Sequence, residues 1–226
     1  MTGTEPLEDC VDIATAIESA PIGRFIISIV VLCAAVALLD GYDTLAISYV
    51  APVIAVAWKL PKEAFGRIFS AHYVGAEIGA AAFGMLADRY GRRPIMIAST
   101  AAFGIFALLT PLTFDFISLL VVRLLTGVGL GGALSTVIAM VAEYSPARHR
   151  ATLVSIMYAA FPLGGVIGGP LSAYVIPNFG WQQVFLIGGI APVILLLLLA
   201  FALPESVRFL LVRGADPKRS RRSCSG

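Results

Sequence analysis

The stretch Phe25–Trp58 reads FIISIVVLCAAVALLDGYDTLAISYVAPVIAVAW, and its only charged residues are Asp40 and Asp43. A run of about 20 mostly apolar residues predicts a transmembrane helix. A carboxylate at the centre of a bilayer costs on the order of 2.5–3.5 kcal/mol on insertion scales, and such residues by default mark an ion, proton or substrate path. The stretch therefore predicts a membrane helix that carries its chemistry at Asp40-Gly41-Tyr42-Asp43-Thr44.

The composition of the whole chain points to the bilayer as its solvent. Of the 226 residues, 58% are hydrophobic and 13% are charged, against about 25% charged in soluble domains. The three cysteines, Cys10, Cys33 and Cys224, are too few and too scattered for a disulfide framework or a metal site. The sequence contains no phosphate-binding loop and no nucleophile–base pair in a supporting context. We therefore expect no enzyme activity, no metal and no cofactor, and the small net charge of +2 implies no nucleic-acid partner.

Further apolar segments follow the first one, which predicts an all-α membrane protein with six transmembrane helices. Helices are chosen because the alternation typical of a membrane β-barrel is absent. The predicted spans are about 25–52, 64–87, 94–112, 116–142, 151–176 and 184–203, within a transmembrane domain covering 24–204. An acidic tail, 1–23, precedes them, and a basic tail, 205–226, follows. We interpret the basic tail as a truncated central loop, with a natural basic tail at the membrane surface as the alternative.

Lys and Arg predict the orientation of these spans. Twelve of the 16 basic residues lie on one side: Arg24 before the first span, five in the loops after spans two and four, and six in the basic tail. The segments on the other side hold only Lys59, Lys62 and Arg67. Cytoplasmic loops carry the excess of Lys and Arg. Both termini are therefore predicted to be cytoplasmic, in a multi-pass protein of the cytoplasmic membrane. The remaining basic residue, Arg123, lies inside a span.

Five ionisable residues lie within the predicted spans: Asp40, Asp43, His72, Glu77 and Arg123. At about 1.5 Å per residue, Asp40 and His72 lie about 24 Å from the cytoplasmic edge and Glu77 lies about 16 Å from it. By the same measure Arg123 lies about 10 Å from the outer edge. Asp40, His72 and Arg123 should therefore share the outer half of the bundle, with Glu77 near mid-depth.

Asp40 and Asp43 are three residues apart and should share one helical face that points inward. Two carboxylates one turn apart should bind and release protons as a pair. We expect that one of them, or Glu77, takes up and releases a transported proton. Arg123 would either hold a substrate carboxylate through a bidentate pair or act as the counter-ion that keeps an Asp ionised.

The loop after the second span reads Gly84-Met85-Leu86-Ala87-Asp88-Arg89-Tyr90-Gly91-Arg92-Arg93-Pro94. Gly91 supplies the freedom for a tight turn, and Asp88 can cap the next helix or pair with Arg92. The pattern resembles the signature loop of the major facilitator superfamily, Gly-x-Leu-Ala-Asp-Arg-x-Gly-Arg-Arg. The resemblance implies that Gly84, Asp88, Arg89, Gly91, Arg92 and Arg93 form a gating loop that latches the cytoplasmic side against a second half of the transporter.

The motif in span one narrows the resemblance to the aromatic acid:proton symporters of that superfamily, which include carriers of benzoate and hydroxybenzoate. Arg123 followed by Gly127, Gly129, Gly131 and Gly132 resembles the fourth-span motif of proton-coupled members. Superfamily carriers consist of two six-span halves, each made of two three-helix inverted repeats. The resemblance implies that this chain is the N-terminal half of such a fold, and that a second half or a partner copy completes it.

The function implied is proton-coupled uptake of an aromatic carboxylate, with the proton gradient as the energy source. Gly165-x-x-x-Gly169-Pro170 resembles the fifth-span motif of drug/proton antiporters, so that activity is the alternative within the superfamily. A truncated membrane fragment without transport activity is the alternative outside it.

Overall fold

The computed structural model describes residues 23–202, and the two predicted tails lie outside that range except for Gly23. The helices are α1 (Arg24–Ala57), α2 (Lys62–Tyr90), α3 (Arg92–Leu109), α4 (Phe116–Tyr144), α5 (Arg150–Tyr158), α6 (Ala160–Phe179) and α7 (Gln182–Ala202). A 3-10 turn, Thr110–Leu112, follows α3. Within the described residues there is no strand, as predicted. Helices α5 and α6 are separated only by Ala159 and together form the fifth rod of the bundle.

Local sequence explains where the rods begin and end. Gly91 has a φ of 106° and stands between α2 and α3, and Gly180 has a φ of 89° at the end of α6. Both conformations favour glycine. Asp115 begins α4 with a capping box, because its side chain accepts a hydrogen bond from the Ser118 backbone N–H at 2.8 Å.

Among residues 23–202, five segments are long and apolar enough to cross a membrane: Arg24–Ala57, Arg92–Leu112, Phe116–Tyr144, Arg150–Phe179 and Gln182–Ala200. The helix α2 is of similar length, with 29 residues. It is the rod that carries His72 and Glu77 as well as charged residues at both ends, which lowers its hydropathy. It packs along α4 as part of the same bundle.

Glycine brings two pairs of helices into backbone contact in the same way. Between α1 and α6, a methyl group at Gly41 would collide with the Phe161 carbonyl, and one at Gly164 would collide with the Leu38 carbonyl. Between α4 and α2, a methyl group at Gly127 would collide with the His72 carbonyl, and one at Gly75 would collide with the Leu124 carbonyl. In both pairs of helices, the glycine and the carbonyl residue on one helix are three residues apart. Because consecutive rods alternate in direction, the first and fourth rods run oppositely. The matching contacts are therefore those of two inverted three-helix repeats.

Three apolar clusters fill the described part of the bundle, and the two largest leave a polar layer between them. One cluster contains Val36 and Cys33 of α1 with residues of α3, α4 and α7, and the other begins on α1 at Tyr42 and continues to Ile54. Asp40 and Asp43 lie at the junction of the two clusters. The free thiol of Cys33 is buried within the first cluster, where it packs as a small apolar side chain.

Candidate functional site

The centre of the site is a buried ion pair between Asp43 on α1 and Arg123 on α4. The Arg123 Nη1 and Nη2 atoms donate to the two Asp43 carboxylate oxygens at 2.9 and 3.3 Å. Both side chains are only 1% exposed. The planar guanidinium fork matches the two oxygens of a carboxylate, so this pair is bidentate as well as buried. Arg123 is thus placed in an ion pair with Asp43, and both roles predicted for it stay predictions.

Two further contacts hold the guanidinium in place. Arg123 Nη2 also donates to the Thr110 hydroxyl at 2.9 Å, in the 3-10 turn after α3. The guanidinium carbon lies 4.7 Å from the centre of the Phe185 ring of α7, within the range of a cation–π contact. Four elements of the bundle therefore converge on one cation. Tyr42 strengthens the same junction, since its hydroxyl donates to the Val184 carbonyl at 2.9 Å.

A second polar chain runs from Asp40 beside the ion pair. The Thr44 hydroxyl is 3.1 Å from Asp40 Oδ1 and 3.4 Å from His72 Nε2. The other ring nitrogen, His72 Nδ1, is 3.3 Å from the backbone carbonyl oxygen of Arg123. Asp40, Thr44 and His72 are all buried. The second oxygen of the carboxyl group, Asp40 Oδ2, has no hydrogen-bond partner among residues 23–202.

The structure thus brings four of the five sequence-predicted residues into one connected cluster: Asp40, Asp43, His72 and Arg123. Glu77 is placed apart from them, on an exposed face of α2. Helix depth predicted a position near mid-depth for Glu77, but depth does not define the direction in which a side chain points. The proton role of Glu77 stays a prediction. Within the described residues, no group of three or more His, Cys, Asp and Glu could hold a metal ion.

Sequence reasoning missed Thr44, Thr110 and Phe185 as members of the site. Thr44 stands in the quoted motif four residues after Asp40, which is the spacing of helical neighbours, and this signal could have identified it. Thr110 and Phe185 carry no such signal. An uncharged hydroxyl beside Pro111 and an aromatic ring in an apolar span are both ordinary membrane residues.

The predicted gating loop forms a separate network at the cytoplasmic end predicted from the basic residues. Arg92 Nη2 lies 2.8 Å from Asp88 Oδ1 and Arg92 Nε lies 3.1 Å from Glu143 Oε1, at the end of α4. Arg93 donates to the Ala200 carbonyl of α7 at 2.6 Å. Arg89 lies over the ring of Tyr90, 5.6 Å from its centre. Of the two roles predicted for Asp88, the structure shows pairing with Arg92 and no cap on α3.

Gly84 and Gly91 take different places in this loop. Gly91 forms the left-handed turn between the two helices. Gly84 lies inside α2, and a methyl group there would meet no atom of the described residues within 4 Å. The loop thus ties α2 and α3 to the ends of α4 and α7, and Gly84 leaves an open surface beside it.

Comparison with known proteins identifies relatives that are named as transporters. The chain is 41% identical over 214 residues to a 4-hydroxybenzoate transporter of Acinetobacter baylyi, covering 95% of this chain and 47% of the relative. It is 47% identical over 178 residues to a 3-(3-hydroxy-phenyl)propionate transporter of Escherichia coli, covering 79% of this chain and 44% of the relative. The chain thus spans about half the length of these relatives.

The fold has solved counterparts as well. The xylose transporter XylE from E. coli, in its inward open conformation, superposes with a TM-score of 0.73 at 24% identity, covering 82% of this chain and 50% of that one. At this identity the likeness concerns the fold alone. The sequence pattern described as Major Facilitator Superfamily matches residues 31–221. This multi-pass membrane chain belongs to the Major Facilitator Superfamily.

Proposed function

We propose that this chain is the N-terminal half of a secondary active transporter that takes up an aromatic carboxylate, such as benzoate or hydroxybenzoate, together with protons. The names of the two relatives support the substrate class. Because the chain spans about half of each relative, a second six-helix half or a second copy would complete the binding site. The transporter would lie in the cytoplasmic membrane with both termini in the cytoplasm.

The observation that carries the proposal is the bidentate pair of Asp43 and Arg123. The Arg123 fork that now holds the Asp43 carboxylate has the shape to hold a substrate carboxylate instead. The Asp43 carboxylate and the substrate carboxylate would compete for the same N–H donors of Arg123. A substrate carboxylate can replace Asp43 only when Asp43 releases the guanidinium, and protonation of Asp43 removes the charge that holds it there.

Charge balance then explains coupling to protons. An uncompensated charge in a buried site costs several kcal/mol, so a site of this kind favours net neutrality. The Asp43–Arg123 pair is neutral, and a bound aromatic carboxylate alone would leave one excess negative charge. A proton on Asp43 restores neutrality. In this mechanism the anion enters together with a proton, and the proton gradient drives uptake without a metal or another cofactor.

The gating loop has a distinct role in the proposal. Arg92 and Arg93 hold the loop against the ends of α4 and α7, while the exposed side chains of Asp88 and Arg89 remain available to a second half. We infer that Gly84, Asp88, Arg89, Gly91, Arg92 and Arg93 latch the cytoplasmic side when the carrier opens outward. Opening inward would separate this surface from its counterpart.

Uptake of radiolabelled 4-hydroxybenzoate into membrane vesicles under an imposed pH gradient tests the function. The chain is assayed alone and co-expressed with the second six-span half of the Acinetobacter baylyi relative. We expect gradient-driven accumulation that a protonophore abolishes. Asp43→Asn and Arg123→Lys should each lower the rate by about tenfold or more, since a hydrogen bond to a charged group contributes roughly 1.5–3 kcal/mol.

Asp115→Ser is the matched control, because Asp115 is an exposed helix cap and serine preserves capping. Wild-type uptake by Asp43→Asn would contradict the site. Efflux of a cationic dye without uptake of the aromatic acid would favour the alternative drug/proton antiporter. Absence of both activities with and without the second half would favour a membrane protein that does not transport.

A further inference from the structure

The contacts of Asp40, Thr44 and His72 constrain where hydrogen atoms can be. The Thr44 oxygen lies between Asp40 Oδ1 at 3.1 Å and His72 Nε2 at 3.4 Å, and its hydroxyl carries a single hydrogen. His72 Nδ1 faces the Arg123 carbonyl oxygen at 3.3 Å, and a carbonyl oxygen can only accept. Nδ1 must therefore carry a hydrogen in any arrangement that makes this contact.

When Asp40 and His72 hold one titratable proton between them, only two arrangements satisfy all three contacts. In the first, Asp40 is a neutral acid that donates from Oδ1 to Thr44, and Thr44 donates to a neutral His72 at Nε2. In the second, His72 is an imidazolium that donates from Nε2 to Thr44, and Thr44 donates to an ionised Asp40. An ionised Asp40 beside a neutral His72 would leave one of the two Thr44 contacts without a hydrogen, because the single hydroxyl hydrogen can serve only one of them.

The two arrangements contain the same number of protons. We propose that Asp40 and His72 share one mobile proton through the Thr44 hydroxyl, so that the three residues form a proton-transfer relay. In the forward step the Asp40 O–H bond breaks as a new Thr44 O–H bond forms, while the original Thr44 O–H bond breaks and an Nε2–H bond forms on His72. The result is one carboxylate and one imidazolium, with no atom gained or lost.

The surroundings make this relay sensitive to the ion pair beside it. The charged groups that face His72 are Asp43 from α1 and Arg123 from α4, and Asp43 also acts on Asp40 from one helical turn away. Thr110, from the 3-10 turn, reaches the relay only through Arg123. A change of charge on Asp43 thus alters the field on both ends of the relay. Asp40 Oδ2 has no partner among the described residues, and a buried oxygen without a hydrogen bond costs less on a neutral acid than on a carboxylate.

The inference extends the proposed proton coupling, and its role in transport rests on that proposal. The shared proton itself is measured without substrate or transport. The sequence contains only two histidines, His72 and His149. A His149→Gln background therefore leaves one histidine signal in nitrogen-15 NMR of the full chain in lipid bilayers. Infrared difference spectroscopy reports the carboxyl stretch of Asp40, assigned by its loss in Asp40→Asn.

We expect the neutral His72 ring to carry its hydrogen on Nδ1. We also expect the His72 and Asp40 signals to change with one common midpoint as the pH is raised. Thr44→Val removes the hydroxyl at nearly constant shape and should separate the two midpoints by about one pH unit or more, which is the scale of coupled sites. Thr44→Ser retains the hydroxyl and should preserve the common midpoint.

Three results would overturn the relay. They are a neutral His72 with its hydrogen on Nε2, separate midpoints in the protein with Thr44 intact, or a Thr44→Val variant indistinguishable from Thr44→Ser. The first two are read on a chain that is unchanged at the relay, so a folding defect in a variant does not hide the answer. Loss of aromatic acid uptake with an intact common midpoint would instead contradict the proposed function alone.

Discussion

Arg123 and Asp43 are 80 residues apart in the sequence, yet they share two hydrogen bonds inside the bundle. Their helices are the first members of the two inverted repeats, so the ion pair joins one repeat to the other. A pair with both members buried is strongly destabilised when only one partner is removed. In the proposed mechanism this contact holds the two repeats together and is also the contact that a substrate carboxylate must open.

Removal of one member of this pair should be worse than removal of both. Asp43→Asn leaves Arg123 as an uncompensated buried charge and should lower the free energy of unfolding by roughly 3–5 kcal/mol. Asp43→Asn combined with Arg123→Gln should recover part of that loss. Denaturant unfolding in detergent micelles of the parent chain, the two single variants and the double variant measures this double-mutant cycle. Strict additivity of the two single effects would show that the pair contributes no interaction energy.

Gly41, at the contact of α1 and α6, should not tolerate substitution by alanine. Gly41→Ala would push against the Phe161 carbonyl and should destabilise by about 1–3 kcal/mol, as overpacking does. Gly66→Ala is the matched control, because a methyl group there meets no described atom within 4 Å. That substitution should be neutral or stabilising by up to about 1 kcal/mol, since alanine favours helix. Equal effects of the two substitutions in thermal unfolding would refute the packing argument.

Asp88 should matter more for transport than for stability. Its side chain is 70% exposed in the ion pair with Arg92, and exposed pairs contribute about 0.2–1 kcal/mol. Asp88→Asn should therefore shift the unfolding midpoint little while it lowers aromatic acid uptake by the completed carrier, if the loop acts as the proposed latch. Glu63→Gln, at the exposed start of α2, is the control for removal of a surface carboxylate. Normal uptake by Asp88→Asn would remove the support for a latch.

The orientation predicted from the basic residues can be read by cysteine labelling. In a Cys10→Ser, Cys224→Ser background, the remaining Cys33 is buried. Asp115→Cys should react with a membrane-impermeant maleimide added to intact cells, because it lies in the loop between the third and fourth spans. Ala147→Cys, in the exposed loop after α4, should react only after the cells are opened. The reverse pattern would invert the topology.

How much of this site the sequence could predict depends on the kind of information each residue carries. Asp40, Asp43 and Arg123 could be identified from sequence, because a charge inside an apolar span costs free energy on whichever side of the helix it lies. Their mutual contacts were not, since hydropathy reports depth along a span but not rotation about it. Glu77 illustrates the difference, because it shares the span of His72 but lies on an exposed face. Thr110 carries no charge and no spacing signal, so only the folded helices reveal its contact with Arg123.

The glycine contacts of the two repeats have a consequence for how the site is distributed. They align His72 with Phe161, and they align Gly127 with Gly41. By the same register Arg123 corresponds to Ala37. The scaffold offers each position twice, but the histidine and the arginine occur at only one of the two. Two structurally equivalent repeats therefore carry different chemistry. The substitutions Ala37→Arg and Phe161→His would test whether the membrane core tolerates an arginine or a histidine at both equivalent positions.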